Sequence, residues 1–194
     1  MYGRRSDRLL LIGGKLRRRQ TSRIALSGVI AALSVVVLFL TGFIPAATVA
    51  LPAVAGCLLI AVVAETNVRW GLVVYAVVAV LSLLLVPDRE AALLYIVFFG
   101  YYPSLYGALS RVHNRVLSWL LKFSVFNAAI LIESVLAVFL LHIPVEEMLP
   151  FGWISIPILW ILFNLVFVFY DLSMNGLIVM YIRRIHPAVS KYLR

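Results

Sequence analysis

The stretch RRRQTSRIALSGVIAALSVVVLFLTGFIP, Arg17–Pro45, decides the class of the fold. Its cations stop at Arg23, and the next charged residue is Glu65. A charge-free run of that length can cross the ~30 Å hydrocarbon core of a bilayer, which takes about 20 helical residues. The run is apolar all round rather than alternating, so helices are expected and barrel strands are not. Composition agrees: the chain is 64% hydrophobic and 13% charged, against roughly 45–50% and 25% in soluble domains.

Working outward, the chain divides into a basic arm (1–23), a membrane domain (24–182) and a short basic tail (183–194). The arm carries Arg4, Arg5, Arg8, Lys15, Arg17, Arg18, Arg19 and Arg23. Its LLLIGG is too short to span, and no structure is assigned to it. The first span is read as Ile24 to Ile44, with Thr21 or Ser22 placed to cap it. A cleaved signal peptide is the rival reading. The apolar run exceeds the ~7–15 residues of such peptides, and Ala53-Val54-Ala55 lies well beyond it, so an uncleaved span is expected.

Five more spans follow: Ala46 to Ala64, Trp70 to Val86, Ala91 to Leu109, Val116 to Ile143 and Trp153 to Ile182. Gly100 and Pro103 predict a kink in the fourth, because proline frees a backbone carbonyl. Lys122 lies close enough to the inner end of the fifth to snorkel. The sixth is long enough to tilt or protrude. The class is therefore an all-α, multi-pass protein of the cell membrane with six transmembrane helices. Setting both termini in the cytoplasm puts 16 of the 17 Lys and Arg inside, leaving Arg89 outside with Asp88, Glu90, Glu146 and Glu147. That distribution obeys the positive-inside rule.

The net charge of +9 does not point to nucleic acid. Eight of the 17 cations precede the first span, where they suit anionic lipid head groups. Soluble-enzyme chemistry is missing. Gly13-Gly14-Lys15 ends like a phosphate loop, but Leu9 stands where its first Gly is needed and Leu16 where Ser or Thr is needed. His113, His142 and His186 have no metal-ligand spacing, and the lone Cys57 suits apolar packing. No enzymatic role, cofactor or metal is expected.

The polar residues inside the spans carry the functional question, since intramembrane charge costs ~2.5–3.5 kcal/mol on insertion scales. Asn164, Asp171 and Asn175 share one face of the sixth helix, and Trp153 and Trp160 extend it outward. Such a stripe must turn from lipid, either to bond neighbouring helices or to line a pocket. For Asp171, structural pairing and a pocket or ion role remain equal alternatives. Tyr95, Tyr102 and Tyr106 share a face beside the kink. Tyr95 and Tyr106 suit interfacial anchoring, whereas Tyr102 needs a hydroxyl partner. Asn127 and Glu133 of the fifth helix point about 120° apart. A ligand pocket is expected in the outer half, contacted by Glu133, Asn164 and Trp160, with Asp171, Asn127 and Tyr102 as further candidates. On the first helix the small residues Ala25, Gly28 and Ala32 form a ridge for close helix contact, within the chain or with a partner.

The order of these features resembles the substrate-binding S components of energy-coupling factor vitamin transporters. The likeness spans residues 23–182: a small-residue first helix (RIALSGVIAALSVV), a proline-containing outer loop (GFIPAATVALP), a tight inner turn (ETNVRWG), a third span ending in Val86-Pro87, and a Gly/Pro-broken fourth helix (FFGYYPSLYG). The resemblance implies a six-helix binding subunit with an outward pocket for a vitamin-like or other micronutrient. It also implies cytoplasmic-side partners, a scaffold subunit and two ATPases. The arm is longer than the family's pattern, and the pocket candidates match no vitamin-specific signature. Two other readings stand beside it: a non-transporting membrane scaffold or partner subunit, and an ion-coupled carrier using Asp171 and Glu133.

Overall fold

A computed structural model describes residues 3–144, 149 and 151–187, with side chains from residue 20 onward except at Pro45. Glu146, Glu147, Lys191, Arg194 and the arm's side chains before residue 20 lie outside the described residues. Among the described residues seven α-helices carry the fold: α1 (Gly3–Phe39), α2 (Ala50–Glu65), α3 (Val68–Leu85), α4 (Arg89–Leu94), α5 (Tyr102–Leu109), α6 (Arg115–Phe139) and α7 (Ser155–Met180). The described residues contain no strand.

Among the described residues five helical segments are long and apolar enough to cross a membrane: 20–42, Val68–Leu85, Arg89–Leu109, Arg115–Phe139 and 152–185. The apolar helix Ala50–Glu65 is shorter, at 16 residues, or about 24 Å at 1.5 Å per residue. The second span was expected to begin at Ala46. A separate 3-10 turn, Pro45–Ala47, precedes α2 instead, because proline suits the start of a helical turn and breaks a continuous one.

Three boundaries differ from the sequence reading. The helix of the first span runs unbroken through the arm from Gly3, so neither Thr21 nor Ser22 caps it; the arm's Arg, Lys and Leu are good helix formers. The fifth helix ends at Phe139 rather than Ile143, where His142 takes a positive φ of 54°. The last helix continues past Met180 as a π-helical turn, Tyr181–Ile185. The remaining starts follow local chemistry. Asn67 Oδ1 accepts from Trp70 N at 2.9 Å, Asp88 Oδ1 from Ala91 N at 3.1 Å, and Asn114 Oδ1 from Val116 N at 3.0 Å. These bonds satisfy amides that a helix start leaves free.

The expected break in the fourth span takes a specific form. Between α4 and α5 lies a π-helical turn, Tyr95–Phe99, closed by Gly100 N donating to Tyr95 O at 2.8 Å. Pro103 has no amide proton to offer the carbonyl of Phe99. Gly56 of α2 packs directly on that carbonyl, where a Cβ would overlap the oxygen. Absence of a side chain thus lets α2 reach the broken segment. Around it, Phe98, Phe99, Tyr102, Phe126, Phe167 and Tyr170 form an aromatic core, with Phe126 and Phe167 stacked at 4.4 Å. Tyr95 lies fully inside this core and is not an interfacial anchor.

Candidate functional site

Charge is sorted between the two ends of the bundle. At one end the α2–α3 turn, the α5–α6 connection and the end of α7 meet. There Glu65 accepts from Tyr181 Oη at 3.0 Å and lies 2.8 Å from His186 Nδ1. Arg69 and Arg111 line one groove there. At the other end Gly42 faces Pro87, and Thr48 donates to Asp88 Oδ2 at 2.9 Å.

Three polar arrangements lie between these ends. In the first, Lys122 of α6 donates to both carboxylate oxygens of Asp171 on α7, at 2.7 and 2.9 Å. Tyr102 of α5 donates a short hydrogen bond to the same carboxylate, which meets its expected need for a partner. Both ions are buried, at 7% and 3% exposure. The ammonium also stands 4.0 Å from the centre of the Tyr106 ring, a favourable cation–π placement. Lys122 therefore does not snorkel. The sequence reading missed this pair, although intramembrane charges generally pair with one another, and Lys122 and Asp171 are the cation and acid set inward from the same end.

In the second, α6 and α7 are joined by amides. Asn127 Nδ2 donates to Asn164 Oδ1 at 3.0 Å, and Trp160 Nε1 donates to Asn127 Oδ1 at 2.6 Å. Asn164 Nδ2 completes the group at Asn127 Oδ1, 3.2 Å away. The stripe on α7 turns inward only in part. Asp171 and Asn164 do so, while Trp153 is 85% and Trp160 55% exposed; at the bilayer boundary an indole has both apolar and polar surroundings.

The third is a cavity of about 140 Å³ lined by Glu90 of α4, Glu133 of α6 and apolar side chains including Leu94, Phe98, Phe126 and Phe163. Neither carboxylate has a hydrogen bond or ion pair among the described residues. The expected grouping of Glu133 with Asn164 and Trp160 does not form. The lining residues from α7 are Phe163 and Val166, because Asn127 and Glu133 lie on different faces of α6. The sequence placed Glu90 among the outer-loop charges and not with the pocket, because it reads as a loop acid at a helix start.

Among the described residues no group of three His, Cys, Asp or Glu is placed to hold a metal ion. Cys57 is half-buried and contacts Met174 Sδ at 3.6 Å. Ala25, Gly28 and Ala32 lie exposed on α1, and a Cβ at Gly28 would meet nothing within 4 Å. The opposite face, through Ser27 and Ser34, is buried, with Ser34 donating to Ala55 O at 3.3 Å.

Comparison with protein-family models, curated proteins and solved structures found no match. Fold and site together define an all-helical chain with five membrane-length helices and charged groups in its interior, features suited to a membrane protein.

Proposed function

We propose that the chain is a multi-pass cell-membrane subunit that captures a small molecule for import driven by partner ATPases, in the manner of S components. In this reading there are six spans: α1, the short α2, α3, the broken α4–α5 pair, α6 and α7. Both termini are cytoplasmic, because Arg69, Arg111, Arg115, Arg183 and Arg184 gather at one end while Arg89 shares the other with Asp88 and Glu90. In intact cells carrying Cys57→Ala, a cysteine at Arg89 should react with an impermeant thiol reagent and one at Arg111 should not. The reverse pattern would invert the topology and end the import reading.

The observation that carries capture is the pair of unpartnered carboxylates, Glu90 and Glu133, on an otherwise apolar cavity. Glu90 is exposed and Glu133 half-buried; the unpaired charge of Glu133 in apolar surroundings is costly, and a ligand with a cationic or donor group would relieve it. A cavity of this size is close to the ~150 Å³ of apolar cavities that admit benzene, so the ligand portion held here is compact and apolar. Asn127, Asn164 and Trp160 brace α6 against α7 beside it, as Lys122 and Asp171 do deeper in, where Tyr102 ties in α5.

Glu133→Gln is therefore expected to leave the empty protein as stable as wild type or more stable, by up to ~2 kcal/mol, because it removes a desolvated charge. Denaturant unfolding in detergent reads this directly. A destabilised Glu133→Gln would instead make Glu133 a structural residue and favour the scaffold reading. That second reading draws on the mutual hydrogen bonding of Asn127, Asn164 and Trp160. The ion-coupled carrier draws nothing from Asp171, whose charge Lys122 already matches.

A further inference from the structure

The Lys122–Asp171 pair forms part of a groove of about 440 Å³ between α5, α6 and α7 at the basic end of the bundle. That volume lies within the ~300–1,000 Å³ range of small-molecule sites. The pair contributes no net charge, since Lys122 engages both oxygens of Asp171. The remaining charged lining residue is Arg115. It has no ion pair among the described residues, so the groove is net positive. Ser118 and Asn175 add polar groups and Trp119 an indole. The neighbouring groove adds Arg69 and Arg111 and no acid. The nearby Glu65 is already held by Tyr181 and His186.

We propose that this groove binds a phosphate-bearing molecule, with Arg115 as the principal phosphate ligand. A guanidinium presents paired donors that match phosphate oxygens. An aromatic-flanked basic groove between helices at their cytoplasmic ends suits the headgroup of an anionic phospholipid. A soluble phosphate ester offers the same chemistry. The neutral pair beneath it gives the groove a rigid floor, and the site lies at the opposite end of the bundle from the acid-lined cavity.

The test titrates the full-length protein in mild detergent, by native mass spectrometry, with phosphatidylglycerol, phosphatidylcholine and glycerol 3-phosphate separately. One retained phosphatidylglycerol is expected, with weaker retention of phosphatidylcholine. Arg115→Gln should weaken retention about tenfold or more, the effect of losing one charge-assisted hydrogen bond. Arg115 is exposed, so this variant should fold. Arg17→Gln, in the arm, should change little. If glycerol 3-phosphate rather than lipid shows the Arg115 dependence, the phosphate site stands and its ligand is soluble. Retention indifferent to Arg115→Gln, or lowered equally by Arg17→Gln, would leave only diffuse attraction and overturn the proposal.

Discussion

Asp171→Asn is expected to cost about 3–5 kcal/mol of folding stability, the scale for removing one partner from a buried ion pair. The substitution leaves the Lys122 ammonium buried without a counter-charge, and one amide oxygen cannot replace two carboxylate acceptors. It also weakens the Tyr102 bond, so α5, α6 and α7 all lose a shared anchor. Replacing both ions, as in Lys122→Met with Asp171→Leu, should recover most of the loss, because apolar residues of similar volume remove the desolvation cost together with the attraction. Reversible denaturant unfolding in detergent, run on Lys122→Met, Asp171→Leu and the double variant, measures the coupling, with Asp171→Asn alongside. If Asp171→Asn unfolds like wild type, the ion pair does not hold the three helices together.

Gly56→Ala should be the most damaging of the small substitutions, at about 1–3 kcal/mol for overpacking a tight contact. The obstacle is a backbone oxygen, that of Phe99, which cannot rotate away as a side chain can. Moving it would disturb the π-helical turn and the aromatic core behind it. Gly28→Leu provides the contrast. No atom stands within 4 Å of a Cβ there, so the monomer should keep its stability, while the bulk on the Ala25–Gly28–Ala32 ridge should weaken association with an ATPase-containing complex. Unfolding curves separate the two variants, and pull-downs at low and high salt separate ridge contact from attraction by the arm. Equal destabilisation by Gly56→Ala and Gly28→Leu would contradict the packing described for α2.

Features set by transfer from water to lipid were readable along one dimension. Charge-free runs placed the helices, and Gly100 with Pro103 placed the break in the fourth span. Contacts between helices were less accessible. A repeat of about 3.6 residues per turn can be projected onto a helix face, but nothing in a single sequence says which face meets which neighbour. Lys122 was therefore placed at the membrane surface, although Asp171 stood at a matching depth on another helix. Glu133 was grouped by depth with Asn164 and Trp160, and the rotation of α6 separates them. Glu90 became visible only when α4 carried it to the same cavity. Tyr95 is packed inside the core, and the π-helical turn that starts at it has an extra residue that shifts every side chain after it by a fraction of a turn.

Native mass spectrometry of the wild-type protein and Glu133→Gln, each purified in parallel from the same membranes, tests capture by the acid-lined cavity most directly. The wild type should carry a small non-lipid adduct that Glu133→Gln lacks or holds about tenfold more weakly, the consequence of losing a charge-assisted contact. An identical adduct in both proteins would place the ligand elsewhere. The absence of any such adduct from both, even with extracts of the growth medium supplied, would contradict capture and leave the chain as a membrane scaffold.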